Sequence, residues 1–445
     1  MASYRRDQAV RAAVEQGLLS PSDPSRQIVA LLDTAGIRAS AAALVSAFAA
    51  VTDAPVLHAF AVKATPLVPV LRLLYDCGLG VEVASPGELA LARAAGVPPS
   101  RTVLDSPAKT PAELRQALAL GIAVNADNLQ ELARIDALIA SAPTASPIGL
   151  RVNPQIGAGT IGALSTATAT SKFGVGLRDE GAREAVVQAY LDRPWMRRLH
   201  THTGSQGIPL ALMAEGVATA HALAEEINAK AGRQQVDTID IGGGLPVNFV
   251  TDEETPTYAE YAELLAATAP GLFDGRYGIV TEFGRSLLAK HGTILARVEY
   301  TKTSGARPIA VTHAGVQVAT RTVYAPDSWP LRVLAYDADG RPRTGPEIPQ
   351  DVVQDVAGPA CFAGDMLATA RPLPLLRPDD IVAVPDTGAY YFAHHYAYNS
   401  LPRPGVHGFT VADDGAVSFV TVRRPQSLDE IVAESGGERP DALLG

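Results

Sequence analysis

The stretch that decides the fold is Val56-Leu57-His58-Ala59-Phe60-Ala61-Val62-Lys63, an apolar run that ends in a lysine. A short run of this kind, followed by a helical pattern, predicts a buried parallel strand. Lysines are rarely buried unless the amine is paired or covalently bound, and an amine that forms an imine must be partly desolvated. Lys63 is therefore a candidate imine-forming lysine. The alternative is a lysine whose ammonium reaches water from the end of the strand.

Seven similar runs, rich in valine and isoleucine, follow the first one, and each precedes a helical pattern. They span residues 80–85, 101–106, 122–127, 148–153, 199–204, 238–243 and 278–283. Eight strand–helix units in succession predict parallel strands with crossover helices, and eight strands close a TIM-like (β/α)8 barrel. A doubly wound open α/β sheet is the alternative.

After about residue 296 the sequence pattern becomes typical of β-strands. Turn sequences at 337–340 and 412–415 are typical of hairpins. We predict three parts: an N-terminal segment over residues 1–40, the barrel over 41–295 and a C-terminal all-β domain over 296–445.

Composition narrows the class of protein. A chain of 445 residues exceeds the length at which one hydrophobic core stops growing. The formal net charge of −10 argues against nucleic acid or an anionic membrane as the main partner. Two cysteines, Cys77 and Cys361, are too few for a disulfide framework, and the N-terminus shows no signal-type apolar core. No stretch is apolar enough for a membrane span, so we predict a cytoplasmic protein.

Barrel enzymes place their chemistry at the carboxyl ends of the strands, and here several of these ends carry glycine or polar residues. Gly242-Gly243-Gly244 after strand seven predicts either a tight turn or a loop whose backbone N–H groups surround a phosphate. Ser205 after strand six and Arg285 after strand eight offer a hydroxyl and a guanidinium to the same anion.

Two histidines end strand six, and one carboxylate ends strand eight. His200 and His202 are two residues apart and share a strand face, so a metal pair is an alternative, but the sequence supplies no obvious third ligand and we predict no metal. His202 is predicted to stack as a flat ring on a cofactor. Glu282, placed beside a pyridine nitrogen, would keep that nitrogen protonated and make the ring an electron sink.

Taken together, seven elements resemble the pyridoxal-phosphate-dependent ornithine/diaminopimelate decarboxylase family, in the family's order and over almost the whole chain. The elements are Phe60-Ala61-Val62-Lys63-Ala64, His202-Thr203-Gly204-Ser205, Gly242-Gly243-Gly244, Glu282-Phe283-Gly284-Arg285, Gly358-Pro359-Ala360-Cys361 through Asp365, Gly388-Ala389-Tyr390 and Tyr398-Asn399. The resemblance implies pyridoxal 5′-phosphate as cofactor, an amino acid as substrate, decarboxylation as the reaction, and a homodimer with shared active sites.

The resemblance also implies a role for individual residues. Lys63 corresponds to the cofactor-bound lysine and His202 to the ring-stacking histidine. Glu282 corresponds to the partner of the pyridine nitrogen, and Cys361 to the cysteine that the neighbouring subunit donates near Cα. The phosphate-binding positions are Ser205, Gly243, Gly244, Arg285 and Tyr390.

The chain departs from the family where the substrate's tail is recognised. Phe362 stands where relatives carry an acid that pairs with a distal ammonium, so a simple basic diamino acid is disfavoured unless Asp365 compensates. His313 to Arg321 resembles the run of the diaminopimelate enzymes that ends in an arginine for the distal carboxylate. Tyr324 is shifted by one position from the tyrosine expected nearby.

These departures suggest a specialised decarboxylase, in a secondary-metabolite or siderophore pathway. The alternatives are a diaminopimelate decarboxylase of lysine biosynthesis and a pyridoxal-phosphate-dependent amino-acid racemase. A racemase of the alanine-racemase type sets an arginine against the pyridine nitrogen, so Glu282 favours the decarboxylase. A non-catalytic cofactor-binding protein would generally lack the β-domain that carries Cys361 and Tyr390.

Overall fold

The computed structural model describes residues 2–20, 22–344 and 351–444. Its β-strands are β1 (Ile28–Asp33), β2 (Val56–Ala61), β3 (Gly80–Val83), β4 (Thr102–Asp105), β5 (Ala123–Ala126), β6 (Ile148–Asn153), β7 (Val175–Gly176), β8 (Met196–Thr201), β9 (Thr238–Asp240), β10 (Gly278–Thr281), β11 (Gly292–Ser304), β12 (Arg307–Thr312), β13 (Leu334–Tyr336), β14 (Val352–Ala357), β15 (Met366–Leu373), β16 (Ile381–Pro385), β17 (Gly405–Val411) and β18 (Val417–Arg423).

The α-helices follow the same chain order. They are α1 (Ala2–Glu15), α2 (Thr34–Ala49), α3 (Val68–Asp76), α4 (Pro86–Ala94), α5 (Pro111–Leu120), α6 (Leu129–Ser141), α7 (Ala182–Leu191), α8 (Leu210–Ala231), α9 (Tyr258–Thr268), α10 (Arg285–Leu288), α11 (Val316–Tyr324) and α12 (Leu428–Glu434).

Two compact units divide the chain. The sheet unit comprises Met1–Ile37, Phe249–Glu253 and Leu288–Gly445, and the barrel unit comprises Arg38–Asn248 and Glu254–Leu287. The three-part division into 1–40, 41–295 and 296–445 stays a prediction. No helix within the described residues combines the length and the hydropathy that a membrane span requires.

The barrel unit contains a closed parallel barrel of eight strands, as predicted. Its strands pair in the order β2, β3, β4, β5, β6, β8, β9 and β10, and β10 pairs back with β2. The helices between the strands begin and end at local signals. Thr110 and Glu113 form a capping box at the start of α5, and Gly121 ends that helix in the left-handed conformation.

Short apolar side chains form a layer of the barrel core: Ala59 of β2, Val103 of β4, Ala123 of β5 and Val280 of β10. Because side chains alternate along a strand, the residue two positions later lies on the same face. At three of these four strands that residue is polar, namely Asp105, Asn125 and Glu282. The barrel core therefore changes from apolar to charged toward the carboxyl ends of its strands.

The sheet unit is built around a mixed sheet with the order β15, β14, β12, β11, β1, β17, β18, in which β16 also pairs with β11 and β13. Strand β1, from the segment 1–40, pairs antiparallel with β11 and parallel with β17. Helix α1 packs on this sheet through Ala9, Val10 and Ala13.

Candidate active site

Lys63 lies in a single helical turn that directly follows β2. Its Nζ donates to Glu82 Oε2 at 2.6 Å, and 43% of its side chain is exposed, whereas the Glu82 side chain is fully buried. Burial raises the pKa of Glu82 to about 8, although the Lys63 charge opposes this shift. The Lys63 amine is thus accessible and donates a hydrogen bond to a buried carboxylate.

His200 lies between two carboxylates in the interior of the barrel. Its Nδ1 is 3.7 Å from Asp105 Oδ1 and its Nε2 is 3.6 Å from Glu282 Oε2. All three side chains are buried. Burial, reinforced by the Asp105 charge, raises the pKa of Glu282 to about 7. Burial lowers the pKa of His200, so its ring is neutral near pH 7.

Arginines neutralise part of this carboxylate cluster. Arg151 Nη1 donates to Asp105 Oδ2 at 2.9 Å, and its guanidinium lies 4.4 Å from the centre of the Phe173 ring. Arg198 Nη2 lies 3.2 Å from Asp240 Oδ2. Burial raises the pKa of Asp105, but the surrounding cations bring the net value below its ordinary range.

His202 contacts the glycine loop after β9. Its Nδ1 accepts a hydrogen bond from the Gly243 N–H at 3.0 Å, and burial lowers its pKa well below the ordinary value. A neutral ring that accepts at Nδ1 carries its proton on Nε2. A Cβ at position 243 would overlap the carbonyl oxygen of Glu282, so the loop requires glycine there.

The other two predicted phosphate positions of the barrel unit, Ser205 and Arg285, lie beyond the ends of β8 and β10. Arg285 is buried at the first residue of α10. Ser205 is half-buried, and its N–H donates to the Leu164 carbonyl at 3.0 Å. Their phosphate-binding roles stay predictions.

Sequence reasoning missed Glu82, Asp105 and Arg151. Each is the one charged residue of a buried strand. A lone charge in such a strand needs a partner, and this cost is the signal that could have identified all three. The sequence spacing pairs His200 with His202, whereas the structure groups His200 with Asp105 and Glu282.

In the sheet unit, Asp365 holds together the loop that carries Cys361. Its Oδ1 accepts from the Val316 N–H and its Oδ2 from the Ala360 N–H, both at 2.7 Å. Cys361 is exposed, and its N–H donates to Asn399 Oδ1 at 2.7 Å. Because both Asp365 oxygens bind backbone groups, the geometry favours a structural role over the predicted substrate contact.

Phe362 is half-buried and belongs to a cluster of four aromatic rings in the same unit, of which the three tyrosines are exposed. It stacks on Tyr324 at 5.8 Å between ring centres and meets Tyr398 edge-on at 5.6 Å. Tyr396 stacks on Tyr398 and meets Tyr324 edge-on. We call these four residues the aromatic cluster.

Arg321 is held between two aromatic rings of the sheet unit. Its guanidinium carbon lies 4.5 Å from the centre of the Tyr390 ring and 5.2 Å from that of Trp329. Its Nη1 is buried and has no hydrogen-bond partner among the residues that the structure describes. A flat guanidinium clamped in this way is oriented to receive a carboxylate.

A family profile described as "Pyridoxal-dependent decarboxylase, pyridoxal binding domain" matches residues 35–289. The cofactor is therefore pyridoxal 5′-phosphate. Two observations show that the residues fit it. Lys63 offers an accessible amine, and the buried Glu282 Oε1 has no hydrogen-bond partner in the described part of the chain, as a carboxylate awaiting a pyridine N–H would.

Curated relatives and solved structures agree with this match. The chain is 33% identical to the diaminopimelate decarboxylase of Vibrio cholerae, over 86% of this chain and 87% of the relative. It is 31% identical to that of Pseudomonas aeruginosa, over 86% and 87%. The crystal structure of diaminopimelate decarboxylase from Helicobacter pylori in complex with L-lysine superposes with a TM-score of 0.78 at 25% identity, covering 92% of this chain and 97% of that one. The protein is an amino-acid decarboxylase that belongs to the pyridoxal-phosphate-dependent ornithine/diaminopimelate decarboxylase family.

Proposed function

We propose that this enzyme removes the α-carboxylate of an amino acid whose far end carries a second carboxylate, and that diaminopimelate is the first candidate. The observation that carries this proposal is Arg321, whose guanidinium is clamped between two rings with Nη1 unbonded among the described residues. The names of the relatives support the candidate.

Pyridoxal 5′-phosphate, when bound, supplies an aldehyde that condenses with amines and a pyridine ring that accepts electrons. Lys63 Nζ would hold the aldehyde carbon, and Glu82 would orient the amine. Glu282 would keep a proton on the ring nitrogen through Oε1. His202 would lie against the ring, with its orientation fixed by the Gly243 N–H.

Two further roles are binding of the cofactor's phosphate and protonation of the substrate Cα. The phosphate would be bound by Ser205, Gly243, Gly244, Arg285 and Tyr390. After CO₂ leaves, the Cys361 Sγ would deliver a proton to the substrate Cα. A homodimer in which Cys361 serves the neighbouring subunit's site is part of this proposal, supported by the exposure of Cys361, and so is a cytoplasmic location.

A second candidate substrate is favoured by the aromatic cluster. An acid at position 362 would pair with a distal ammonium for about 1.5–3 kcal/mol, whereas a ring offers a cation–π contact of about 0.5–2 kcal/mol. Phe362 stacked on Tyr324 therefore favours a carboxylate-bearing tail without a primary ammonium, as in the specialised pathways suggested above.

The test is CO₂ release by the cofactor-loaded enzyme from meso-diaminopimelate, L-lysine, L-ornithine, L-glutamate and amino acids with longer acidic tails. We expect release from substrates with a distal carboxylate. In Arg321→Gln, kcat/KM for them should fall about 10–100-fold, the worth of a charge-assisted hydrogen bond. Arg341→Gln, which breaks an exposed ion pair in the same unit, is the control.

The outcomes separate the candidates. Diaminopimelate as the best substrate identifies the first candidate, and an acidic tail without the ammonium identifies the second. Preference for lysine with an unchanged Arg321→Gln enzyme would refute both. Exchange of the Cα hydrogen without CO₂ release would identify a racemase.

A further inference from the structure

The two rings that contact Arg321 come from different segments of the sheet unit. Trp329 is buried and lies just beyond α11, the helix that carries Arg321. Tyr390 is half-buried and lies in the turn that follows β16. Aromatic rings contact a guanidinium without using its N–H groups, so these donors remain for a carboxylate. The rings also restrict a flexible side chain before it binds, which lowers the entropy cost of binding.

A third ring packs on this arrangement. Phe249 meets Trp329 edge-on at 6.3 Å between ring centres. Phe249 begins the segment Phe249–Glu253, which belongs to the sheet unit and lies in the long loop between β9 and α9. The glycine run at 242–244 opens the same loop. We call Phe249, Trp329 and Tyr390 the clamp rings.

One arginine joins the three segments that carry the clamp rings. Arg332 Nη2 lies 2.7 Å from Asp252 Oδ1 and 2.9 Å from Asp386 Oδ2. Each of these three residues lies within four positions of one clamp ring. Asp252 also accepts hydrogen bonds from both Nη atoms of Arg6, at 2.8 and 3.2 Å. A network of charges holds side chains more firmly than an isolated surface pair does, so the clamp rings have a fixed arrangement.

The backbone of the turn after β16 is strained at both ends. Tyr390 has a φ of +66° and Asp386 a φ of +62°, in the left-handed region that bulky residues rarely adopt. Such a conformation costs free energy and persists only where its surroundings determine it. Asp386 is fixed by its ion pairs with Arg332 and Lys290. A strained residue whose ring contacts Arg321 points to a functional role for that ring.

We propose that Trp329 and Tyr390 are positioning residues for substrate selection, which hold the Arg321 guanidinium ready for a distal carboxylate, and that Phe249 supports Trp329. The ring of Tyr390 then has a role that is separate from the phosphate contact of its hydroxyl. This inference rests on the proposed function, because Arg321 is the residue proposed to bind the far end of the substrate. Selection should therefore weaken when a ring is removed, although Arg321 itself is unchanged.

The experiment measures steady-state kinetics of the holoenzyme with the distal-carboxylate substrate that wild type decarboxylates fastest. In Trp329→Leu we expect KM to rise about tenfold, the worth of one partly desolvated cation–π contact, with little change in kcat. Trp329→Phe keeps a ring and should restore most of the wild-type KM. Phe249→Leu should raise KM less, because this ring acts through Trp329.

Two variants of Tyr390 separate its ring from its hydroxyl. Tyr390→Phe keeps the ring beside Arg321, so KM should stay near the wild-type value. Tyr390→Leu removes the ring as well, and KM should rise as in Trp329→Leu. Both variants are assayed at saturating pyridoxal 5′-phosphate, so that weaker cofactor binding does not enter the measured KM.

A double-mutant cycle distinguishes positioning from a loss of stability. In the Arg321→Gln background, Trp329→Leu should no longer change KM, because no guanidinium is left to orient. The matched control is Phe419→Leu, a half-buried ring of the sheet unit that contacts Phe409 instead. This variant should lower the melting temperature without changing KM.

The outcomes separate this inference from the proposed function. A wild-type KM in either Trp329→Leu or Tyr390→Leu, with a raised KM in Arg321→Gln, would overturn the inference alone. An equal rise of KM for Trp329→Leu with and without Arg321 would also overturn it, because the effect would then be general disruption of the unit. A wild-type KM in Arg321→Gln would refute the proposed function and this inference with it. If Trp329→Leu does not fold, Tyr390→Leu decides by the same comparisons.

Discussion

Two lysines of the barrel unit each lie beside a carboxylate but differ in exposure. Lys63 has 43% of its side chain exposed and contacts Glu82. Lys109 is fully buried, and its Nζ lies 3.0 Å from Glu131 and donates to the Asn125 carbonyl at 2.9 Å. An amine must be accessible to exchange between protein and substrate, so Lys63 should react and Lys109 should not.

Borohydride reduction of the holoenzyme, followed by peptide mass spectrometry, should therefore place the cofactor on Lys63 and leave Lys109 unmodified. Lys63→Ala should lose the absorbance of the lysine-bound cofactor and about 10³-fold in activity, within the range for removal of one catalytic group. Lys230→Ala, which removes an exposed helix ion pair, is the control. Recovery of the adduct on another lysine in wild type would contradict the assignment.

At the scale of the element, the start of α11 and the loop between β14 and β15 are joined by one carboxylate. Asp365 is buried and binds an N–H of each. Asp365→Asn would turn an amide N–H₂ toward one of these donors. We expect a loss of about 1–3 kcal/mol in the free energy of unfolding, the cost of an unsatisfied buried group.

Displacement of the loop should also move Cys361, so kcat should fall while cofactor affinity, measured by fluorescence, stays unchanged. Asp339→Asn, in an exposed turn of the same unit, is the matched control. Wild-type stability in Asp365→Asn would show that the carboxylate does not tie the two elements together.

The barrel strands were largely predictable from the sequence, but the charged residues that meet in the barrel interior were not. The eight strands follow from short apolar runs at regular spacing, and the strand-end residues Lys63 and Glu282 follow from the geometry of a parallel barrel. Glu82 and Arg151 were missed because one charge in an apolar run does not show which way it points. These charges meet only after eight strands have closed. The place of β1 was also unpredictable, since its partners β11 and β17 lie hundreds of residues away.

At the scale of the whole molecule, the charged barrel interior makes stability depend on pH. Burial raises the pKa of Glu82 to about 8, of Glu282 to about 7 and of Asp240 to about 6, all above their unfolded values. The folded state then binds more protons than the unfolded state, so the free energy of unfolding falls as the pH rises through this window.

We therefore expect the cofactor-free protein to lose on the order of 1 kcal/mol of stability between about pH 7.5 and 9, measured by urea unfolding. In this range an unfolded histidine, with its ordinary pKa of about 6.5, is mostly neutral, so the buried histidines with lowered pKa values do not mask the effect. Glu82→Gln should flatten the dependence. Stability that rises over the same range would show that the buried carboxyl groups are already ionised in the fold.

The position of β1 also has a consequence for biosynthesis. The strand lies inside the mixed sheet between β11 and β17, with Ile28 opposite Ala296 and Val29 opposite Gly405. A chain is synthesised from its N-terminus, so β1 leaves the ribosome long before β11 and β17 do. Both edges of β1 therefore stay unpaired while the barrel strands are translated. The unpaired backbone N–H and C=O groups of such a strand can pair with another chain, which promotes aggregation. If translation slows or stalls after the barrel has been synthesised, the yield of folded protein should therefore fall more than its free energy of unfolding alone would predict.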